Sequence, residues 1–226
     1  MAAVAAASRS DELEALHASV SNCTACRLAE TRNQVVFGSG NPAAELMFVG
    51  EAPGFHEDQQ GLPFVGAAGK LLERLLAGIG LARDDVFIGN VLKCRPPGNR
   101  DPLADEIEAC QNHLFRQIEL IQPRVVATLG NFATKLLSGN PTGITRVHGR
   151  EQNVRLGRSE VLLYPIYHPA AALYTQAMLG VLEEDFRRLP ELLGREAAPV
   201  EPGEGATAEI AAEPIASEAV TQLGLF

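Results

Sequence analysis

Apolar and polar positions alternate along this chain in two patterns, short runs of strand length and longer amphipathic stretches of helix length. The strand-like runs are 46–49, 86–90, 124–129 and 161–166, with a shorter run at 35–37. The helix-like stretches are 11–20, 71–79, 102–121, 130–138 and 178–193. Short apolar runs suit buried parallel strands, and the helices between them form the crossovers. The pattern therefore predicts an α/β fold of three layers, α/β/α, around a central parallel sheet of four strands.

The connection after the first strong strand runs from Gly50 to Gly69 as GEAPGFHEDQQGLPFVGAAG. Strands and helices are usually joined by about two to six residues, and much longer loops are mostly functional. In open α/β sheets, ligands bind outside the carboxyl ends of the strands, where this loop is expected. The loop carries Glu51, Glu57 and Phe64, which are candidates for chemistry. A glycine-rich surface loop with solvated acids is the alternative, because glycine content alone is a weak signal.

Two other predicted strands lead into polar side chains. Asn90 ends the 86–90 run and is separated by two residues from KCRPPGNR, and His168 follows the 161–166 run in YHPAAAL. Taken singly, such an Asn is a turn residue and such a His is a capped loop histidine. The carboxyl ends of parallel strands meet at one edge of a sheet, so these two loops and the Gly50 loop are expected to converge. That convergence favours a binding or catalytic site.

The chain contains four cysteines, Cys23, Cys26, Cys94 and Cys110. The first two form a C-x-x-C, which in a cytosolic protein indicates a metal or redox site more often than a structural disulfide. The wide spacing of the second pair differs from the close ligand pairs of zinc ribbons and fingers, and four thiolates also suit an iron–sulfur cluster. Spacing alone leaves zinc and [4Fe–4S] both open, beside the alternative of four unrelated buried thiols.

Charge is distributed unevenly along the chain. The net charge is −9, but residues 196–226 contain six Glu and no Lys or Arg, which leaves −3 for residues 1–195. Basic residues of residues 1–195 form local clusters, which matter more for phosphate binding than the total charge does. These clusters are Lys93, Arg95 and Arg100, and Arg146, Arg150, Arg155 and Arg158.

The composition also bears on location and domain organisation. No apolar run approaches the roughly 20 residues of a membrane span. The first residues lack the basic and apolar regions of a signal peptide, so we expect a cytoplasmic protein without a membrane partner. From residue 196 onward the chain is rich in Ala, Glu, Pro, Gly and Ser. This predicts one folded domain, 1–195, followed by a disordered acidic tail, 196–226.

Four features together resemble the family 4 uracil-DNA glycosylases, the iron–sulfur members of the uracil-DNA glycosylase superfamily. They are the G-E-A-P-G…P-F-V-G-A-A-G loop, the N-V-L-K-C-R-P-P-G-N-R segment, the H-P-A-A-A-L segment and the cysteine set, within residues 20–193. The resemblance implies the uracil-DNA glycosylase fold and a monofunctional hydrolase of base excision repair. Such an enzyme flips uracil out of DNA and cleaves its N-glycosidic bond, leaving an abasic site.

The resemblance also implies partners and a cofactor. The partner is uracil-containing DNA, single- or double-stranded, and the enzyme is expected to be a monomer. The four cysteines are expected to hold a [4Fe–4S] cluster, with zinc as the alternative. Hydrolysis of a glycosidic bond requires no electrons, so the expected role of the cluster is structural.

Roles for individual residues follow from the same resemblance. Phe64 is expected to stack under the flipped base, Asn90 to read its edge, and His168 to donate a hydrogen bond to O2 as negative charge develops there. The other expected base-binding residues are Gly50, Glu51 and Ala52. The expected DNA-binding or intercalating residues are Asn99, Arg100, Ala172 and Leu173.

The resemblance leaves two candidates for the catalytic acid. The better-known family of the superfamily has an acid in its G-Q-D-P motif where this chain has Ala52. Glu57 is the expected replacement, as base for water or as anion beside the cationic sugar, although this position has also been assigned to excluding the thymine methyl. Glu51 is the second candidate. No basic insertion follows Asn90, so turnover rather than covalent trapping is expected, and we interpret His148 as ordinary.

The last five residues, QLGLF, resemble the peptide by which bacterial repair proteins dock on the β sliding clamp. The expected clamp-binding residues are Gln222, Leu223, Leu225 and Phe226. The alternative is an apolar end that folds back onto the domain. Two rival functions also stay open: a glycosylase acting on other deaminated bases, and a non-catalytic iron–sulfur DNA-binding module.

Overall fold

The computed structural model describes residues 2–195, which form a three-layer α/β/α fold around one sheet. The strands of this part of the chain are β1 (Ser39–Gly40), β2 (Leu46–Gly50), β3 (Phe87–Asn90), β4 (Val125–Leu129), β5 (Gln152–Leu156) and β6 (Ser159–Ile166). Their order across the sheet is β1-β3-β2-β4-β6-β5. The four inner strands, β3, β2, β4 and β6, pair in parallel, which confirms the α/β class and the parallel core of the sheet.

Both edge strands are antiparallel and were not predicted. The β5 strand alternates exposed and buried positions and forms a hairpin with β6 through Gly157, whose φ is +62°. Such a strand lacks a continuous apolar run, which is why the sequence pattern missed it. The strand predicted at 35–37 is wrong. The short β1 strand lies at 39–40 instead, while the Val36 N–H donates to the Lys93 carbonyl at 2.7 Å.

The helices of residues 2–195 cover both faces of the sheet. They are α1 (Ala2–Val20), α2 (Phe55–Gln60), α3 (Ala67–Gly78), α4 (Ala104–Ile121), α5 (Asn131–Ser138), α6 (Ile144–Val147), α7 (Ala170–Tyr174) and α8 (Gln176–Gly194). Short 3₁₀ turns lie at Arg27–Glu30, Arg83–Asp85 and Pro97–Asn99. No helix within this part of the chain is both long enough and apolar enough to cross a membrane.

Alternation along β2 explains the two apolar cores. Met47 and Val49 pack into one core with α1, α4 and α5, while Leu46 and Phe48 pack into the other with α3 and α8. Successive side chains of a strand point to opposite faces, so a strand buried on both faces contributes to both layers. The sheet is therefore held between two helical layers, and its carboxyl edge is left open to loops.

The long connection after β2 is not a continuous loop, because α2 interrupts it. The side chain of Asp58, on α2, is buried and accepts hydrogen bonds from the backbone N–H of Asn33, at 2.9 Å, and from its side-chain amide. These bonds fix α2 against the segment before β1 and satisfy a buried carboxylate. The tail predicted at 196–226, with its terminal peptide, lies outside the described residues.

Candidate active site and cysteine cavity

The predicted site residues converge at the carboxyl ends of the parallel strands. Gly50 ends β2 and pairs in register with Asn90, which ends β3. His168 follows the end of β6 by two residues, and its ring centroid lies 5.6 Å from that of Phe64. Residues separated by more than a hundred positions thus share one pocket, as the argument from strand ends predicts.

The Phe64 ring and the Asn90 amide both pack closely against Gly50. A Cβ atom at Gly50 would lie 2.9 Å from the Phe64 ring and would overlap Asn90 Oδ1. Only glycine fits there without displacing one of these two side chains. Asn90 is only 2% exposed, and its side-chain amide makes no hydrogen bond to the rest of the described chain. The amide is therefore available to a ligand.

Phe64 is held in an unusual backbone conformation. Its φ is +53°, a left-handed value that is uncommon for an aromatic residue, and such strain persists only where the surroundings enforce it. Gly69 permits the conformation, because a Cβ there would overlap the Phe64 carbonyl. Arg83 donates to the carbonyl oxygens of Phe64, at 3.1 Å, and of Pro63. The position of the ring is thus set by backbone contacts as well as by packing.

His168 is present as a neutral imidazole of defined tautomer. The Ala170 N–H donates to Nδ1 at 3.2 Å, so Nδ1 is an acceptor and the ring proton resides on Nε2. Burial lowers the pKa of His168 to about 4, against the opposing effect of the Glu57 carboxylate. At neutral pH the side chain therefore offers an uncharged Nε2–H donor.

The His168 loop is braced from below by a polar network. The His148 ring lies 4.5 Å from the ring of Tyr167, and its Nδ1 is 3.3 Å from Oδ2 of Asp185. Burial raises the pKa of Asp185. The interpretation of His148 as a residue without a catalytic role stays a prediction. Its ring contacts Tyr167, the residue that precedes His168.

The two candidate acids have different surroundings. Glu57 accepts hydrogen bonds from the N–H groups of Val65, at 2.8 Å, and Gly66, at 3.0 Å. Both bonds use Oε1, which leaves Oε2 available. Glu51 is half-buried, and burial together with the nearby Asp101 raises its pKa from 4.5 to about 7. A carboxyl group with this pKa exchanges protons readily at neutral pH, which suits a general base.

The residues expected to face DNA lie in α7 and in the segment between β3 and α4. Leu173, in α7, is 42% exposed, while Ala172 is half-buried against the α3–α8 core. Arg100 is engaged within the protein, because its guanidinium forms a bidentate pair with the buried Glu106. Asn99 has a φ of +55°, and its side chain accepts from Arg95 at 2.6 Å.

Two residues near the site, Phe55 and Arg83, were not predicted from the sequence. Phe55, at the start of α2, is half exposed, and the Arg95 guanidinium lies 5.2 Å from its ring centroid. Single exposed aromatics carry no periodic signal, so the sequence offered no means of finding this one. Arg83, the clamp on Phe64, was missed for a similar reason, because a lone arginine in a turn resembles any surface cation.

The four cysteines lie near one another, and their role as metal ligands stays a prediction. All four line one cavity with Arg32, Lys93 and His113, between the end of α1 and the start of α4. Several N–H groups point at the sulfurs: Arg32 Nη1 lies 3.5 Å from Cys94 Sγ, and the Lys93 backbone N lies 3.3 Å from Cys110 Sγ. Such donors stabilise thiolates that bind metal.

Without a metal the buried thiols of this cavity hold their protons. Burial raises the pKa of Cys94 to about 11 and also raises the pKa of Cys110. Metal binding must therefore displace protons, as is general for thiolate ligands. No three His, Cys, Asp or Glu side chains within the described chain are grouped so as to hold a single metal ion. Four thiols that share one cavity nevertheless have the chemistry of thiolate ligands for zinc or for an iron–sulfur cluster.

Comparison with known proteins agrees with this geometry. Residues 37–189 match the model of the uracil DNA glycosylase superfamily. The chain is 49% identical to the type-4 uracil-DNA glycosylase of Sulfurisphaera tokodaii over 80% of this chain and 85% of the relative. It is 46% identical to that of Archaeoglobus fulgidus, over 82% and 95%, and 40% identical to that of Thermotoga maritima, over 83% and 98%.

The superfamily model covers the sheet and the strand ends that form the pocket. The relatives then narrow the assignment: the chain belongs to the type-4 family of the uracil-DNA glycosylase superfamily.

Proposed function

We propose that this protein is a repair hydrolase that takes uracil flipped out of DNA between Phe64, Asn90 and His168 and hydrolyses its N-glycosidic bond, leaving an abasic site. Family membership supports the proposal. The observation that carries it is the convergence, at the carboxyl edge of the sheet, of an aromatic ring, a free amide and a neutral imidazole.

Asn90 provides the base selectivity in this proposal. Its amide NH₂ donates to uracil O4, and its Oδ1 accepts from uracil N3–H. Cytosine presents a donor in place of O4 and an acceptor in place of N3–H, so both contacts fail. An unpaired buried polar group costs about 1–3 kcal/mol, and two such groups reject cytosine strongly. Phe64 supplies the stacking surface for the base.

His168 and the two acids provide the chemistry. The glycosidic bond breaks toward an oxocarbenium-like sugar and a uracil anion, and the Nε2–H of His168 donates to the developing charge on O2. Glu57, fixed by the Val65–Gly66 turn, contributes negative charge beside the sugar. Glu51, with its pKa near 7, takes the proton from the attacking water. Gly50 and Ala52 complete the wall of the pocket.

The proposal is tested with a labelled oligonucleotide that carries one uracil, beside matched strands carrying cytosine or thymine. Full-length protein should produce alkali-labile cleavage at uracil and none at cytosine or thymine. Binding of all three strands without cleavage would contradict it and would favour a non-catalytic DNA-binding module. Cleavage at other deaminated bases, such as hypoxanthine, would indicate broader specificity.

We further propose that Cys23, Cys26, Cys94 and Cys110 hold a [4Fe–4S] cluster. The four cysteines line one cavity. Four thiolates suit zinc as well as an iron–sulfur cluster, so the choice of the cluster rests on the resemblance of the chain to the iron–sulfur members of the superfamily. When bound, the cluster ties the segment after α1 to the segment after β3 and has no role in electron transfer.

Anaerobic purification tests the cofactor. The protein should be brown, with broad absorption near roughly 400 nm from thiolate-bound iron. Cys110→Ser should remove this absorption. Stoichiometric zinc without iron, in fully active protein, would overturn the assignment.

The remaining proposals concern assembly and location. The enzyme acts as a monomer in the cytoplasm on single- or double-stranded DNA. Its terminal peptide, with Gln222, Leu223, Leu225 and Phe226, docks on the β sliding clamp, which raises the local enzyme concentration at replicating DNA. DNA contact involves Asn99 and Leu173, with Arg100 and Ala172 supporting the same surface.

Calorimetry with purified clamp tests the docking. Full-length protein should bind, and the double substitution Leu225→Ala with Phe226→Ala should abolish binding while cleavage of a short uracil oligonucleotide is unchanged. No binding by the unsubstituted protein would reject the docking role.

A further inference from the structure

Lys93 is a buried cation without an anionic partner. Its side chain is 1% exposed, and none of the ion pairs in the described part of the chain includes it. Its Nζ donates to two neutral oxygens, the Asn90 carbonyl at 2.9 Å and Gln117 Oε1 at 2.5 Å. Burying an ammonium is unfavourable unless nearby negative charge compensates, so this arrangement requires an explanation.

Lys93 lies between the base pocket and the cysteine cavity. Its ammonium contacts the backbone of Asn90, the residue proposed to read uracil, while its backbone N–H points at Cys110 Sγ at 3.3 Å. Lys93 also lines the cavity that the four cysteines share. One residue therefore touches both sites directly.

Helix α4 completes the connection. Cys110 and Gln117 lie two turns apart on this helix, and both contact Lys93. Gln117 is itself fully buried, and its Nε2 donates to the Phe37 carbonyl at 2.8 Å. The Gln117 amide is thus fixed at both ends, so a shift of α4 at Cys110 is transmitted to Lys93 and from there to Asn90.

We propose that Lys93 is a positioning residue that couples the contents of the cysteine cavity to the orientation of Asn90. Four thiolates around an iron–sulfur core carry net negative charge, and the Lys93 ammonium compensates it. The same ammonium holds the Asn90 carbonyl, which directs the amide toward uracil. The charge compensation by Lys93 rests on the proposed cluster. The positioning of Asn90 by Lys93 rests on hydrogen bonds within the polypeptide.

The test compares Lys93→Met with a matched control, Arg32→Gln. Both substitutions remove a cation beside the cavity, but Arg32 contacts Cys94 Sγ, at 3.5 Å, and not Asn90. Full-length protein is purified anaerobically with its metal. Three quantities are measured: the reduction potential of the cluster, the rate at which a chelator removes iron, and the inhibition constant of free uracil.

Both variants should lower the reduction potential, because a lost positive charge disfavours adding an electron. Of these two variants, Lys93→Met alone should weaken uracil inhibition, by about tenfold, the effect of losing one buried hydrogen bond. Gln117→Leu, which keeps the charge but frees the ammonium, should weaken uracil inhibition without the full shift in potential. This third variant decides the matter if Lys93→Met does not fold.

Two results would overturn the coupling. One is a uracil inhibition constant within about twofold of wild type in Lys93→Met and Gln117→Leu. The other is equal weakening in Arg32→Gln, which would mean that recognition simply follows loss of the metal. If metal analysis finds zinc in the wild-type protein, the cluster proposal fails. The inhibition constants still test whether Lys93 positions Asn90.

Discussion

The base pocket and the cysteine cavity are built in opposite ways. Phe64 and His168 of the pocket are positioned by the polypeptide itself: Gly50 and Gly69 admit Phe64, and a backbone N–H fixes the tautomer of His168. The cavity is lined by four sulfurs, and burial raises the pKa values of Cys94 and Cys110, so these two thiols must lose their protons to bind the proposed metal. Phe64 and His168 are thus preorganised, whereas the cavity would be completed by the proposed cofactor.

The largest expected effect in the preorganised pocket comes from His168. His168→Ala removes the Nε2–H donor and should lower the single-turnover rate by roughly 10²–10³-fold, the usual effect of losing one preorganised donor to a developing anion. DNA binding, measured by fluorescence anisotropy, should be retained. A rate near that of wild type would remove His168 from the mechanism and leave the pocket a binding site only.

The strand-end logic explains what the sequence could predict here. Asn90 ends one apolar run and His168 follows another by two residues. Both runs are typical of parallel strands, and the carboxyl ends of such strands meet at one edge. The parallel pairing of the four inner strands was predicted correctly. The roles of the residues came from the family resemblance rather than from spacing.

Other features left no mark on the sequence pattern. The β5 strand is half exposed and α2 is only six residues long, so neither produces a periodic apolar signal. Arg100 looked like a free cation for phosphate, yet its partner Glu106 is fully buried, and a buried acid cannot be recognised from sequence. Lys93 was counted among surface charges although its side chain is inside the protein.

A smaller loss of excision activity is expected when the backbone contact that supports Phe64 is disturbed while the Phe64 ring is kept. Gly69→Ala places a methyl group against the Phe64 carbonyl and should reduce excision by about 10²-fold, as misplacement by about 1 Å can. Gly78→Ala, in the same helix, is the matched control, because a Cβ there meets nothing within 4 Å. Equal activity of the two variants would show that the Phe64 conformation is not required.

The pH dependence of excision separates the two acids. Glu51 must be ionised to act as a base, so the rate should fall as the pH drops through about 7, by about tenfold at pH 6. Glu51→Gln should abolish this limb and Glu57→Gln should preserve it. His168, with a pKa of about 4, should add no limb above pH 5. A limb that disappears in Glu57→Gln instead would assign the base to Glu57.

The central claim is that Asn90, held at the end of β3, reads the base before any bond breaks. Its most direct test is excision by Asn90→Asp on paired oligonucleotides that carry uracil or cytosine at one position. A protonated carboxyl donates to cytosine N3 while its carbonyl oxygen accepts from the N4 amine, so the variant should gain activity on cytosine and lose activity on uracil. Full activity on uracil with none on cytosine would contradict the claim.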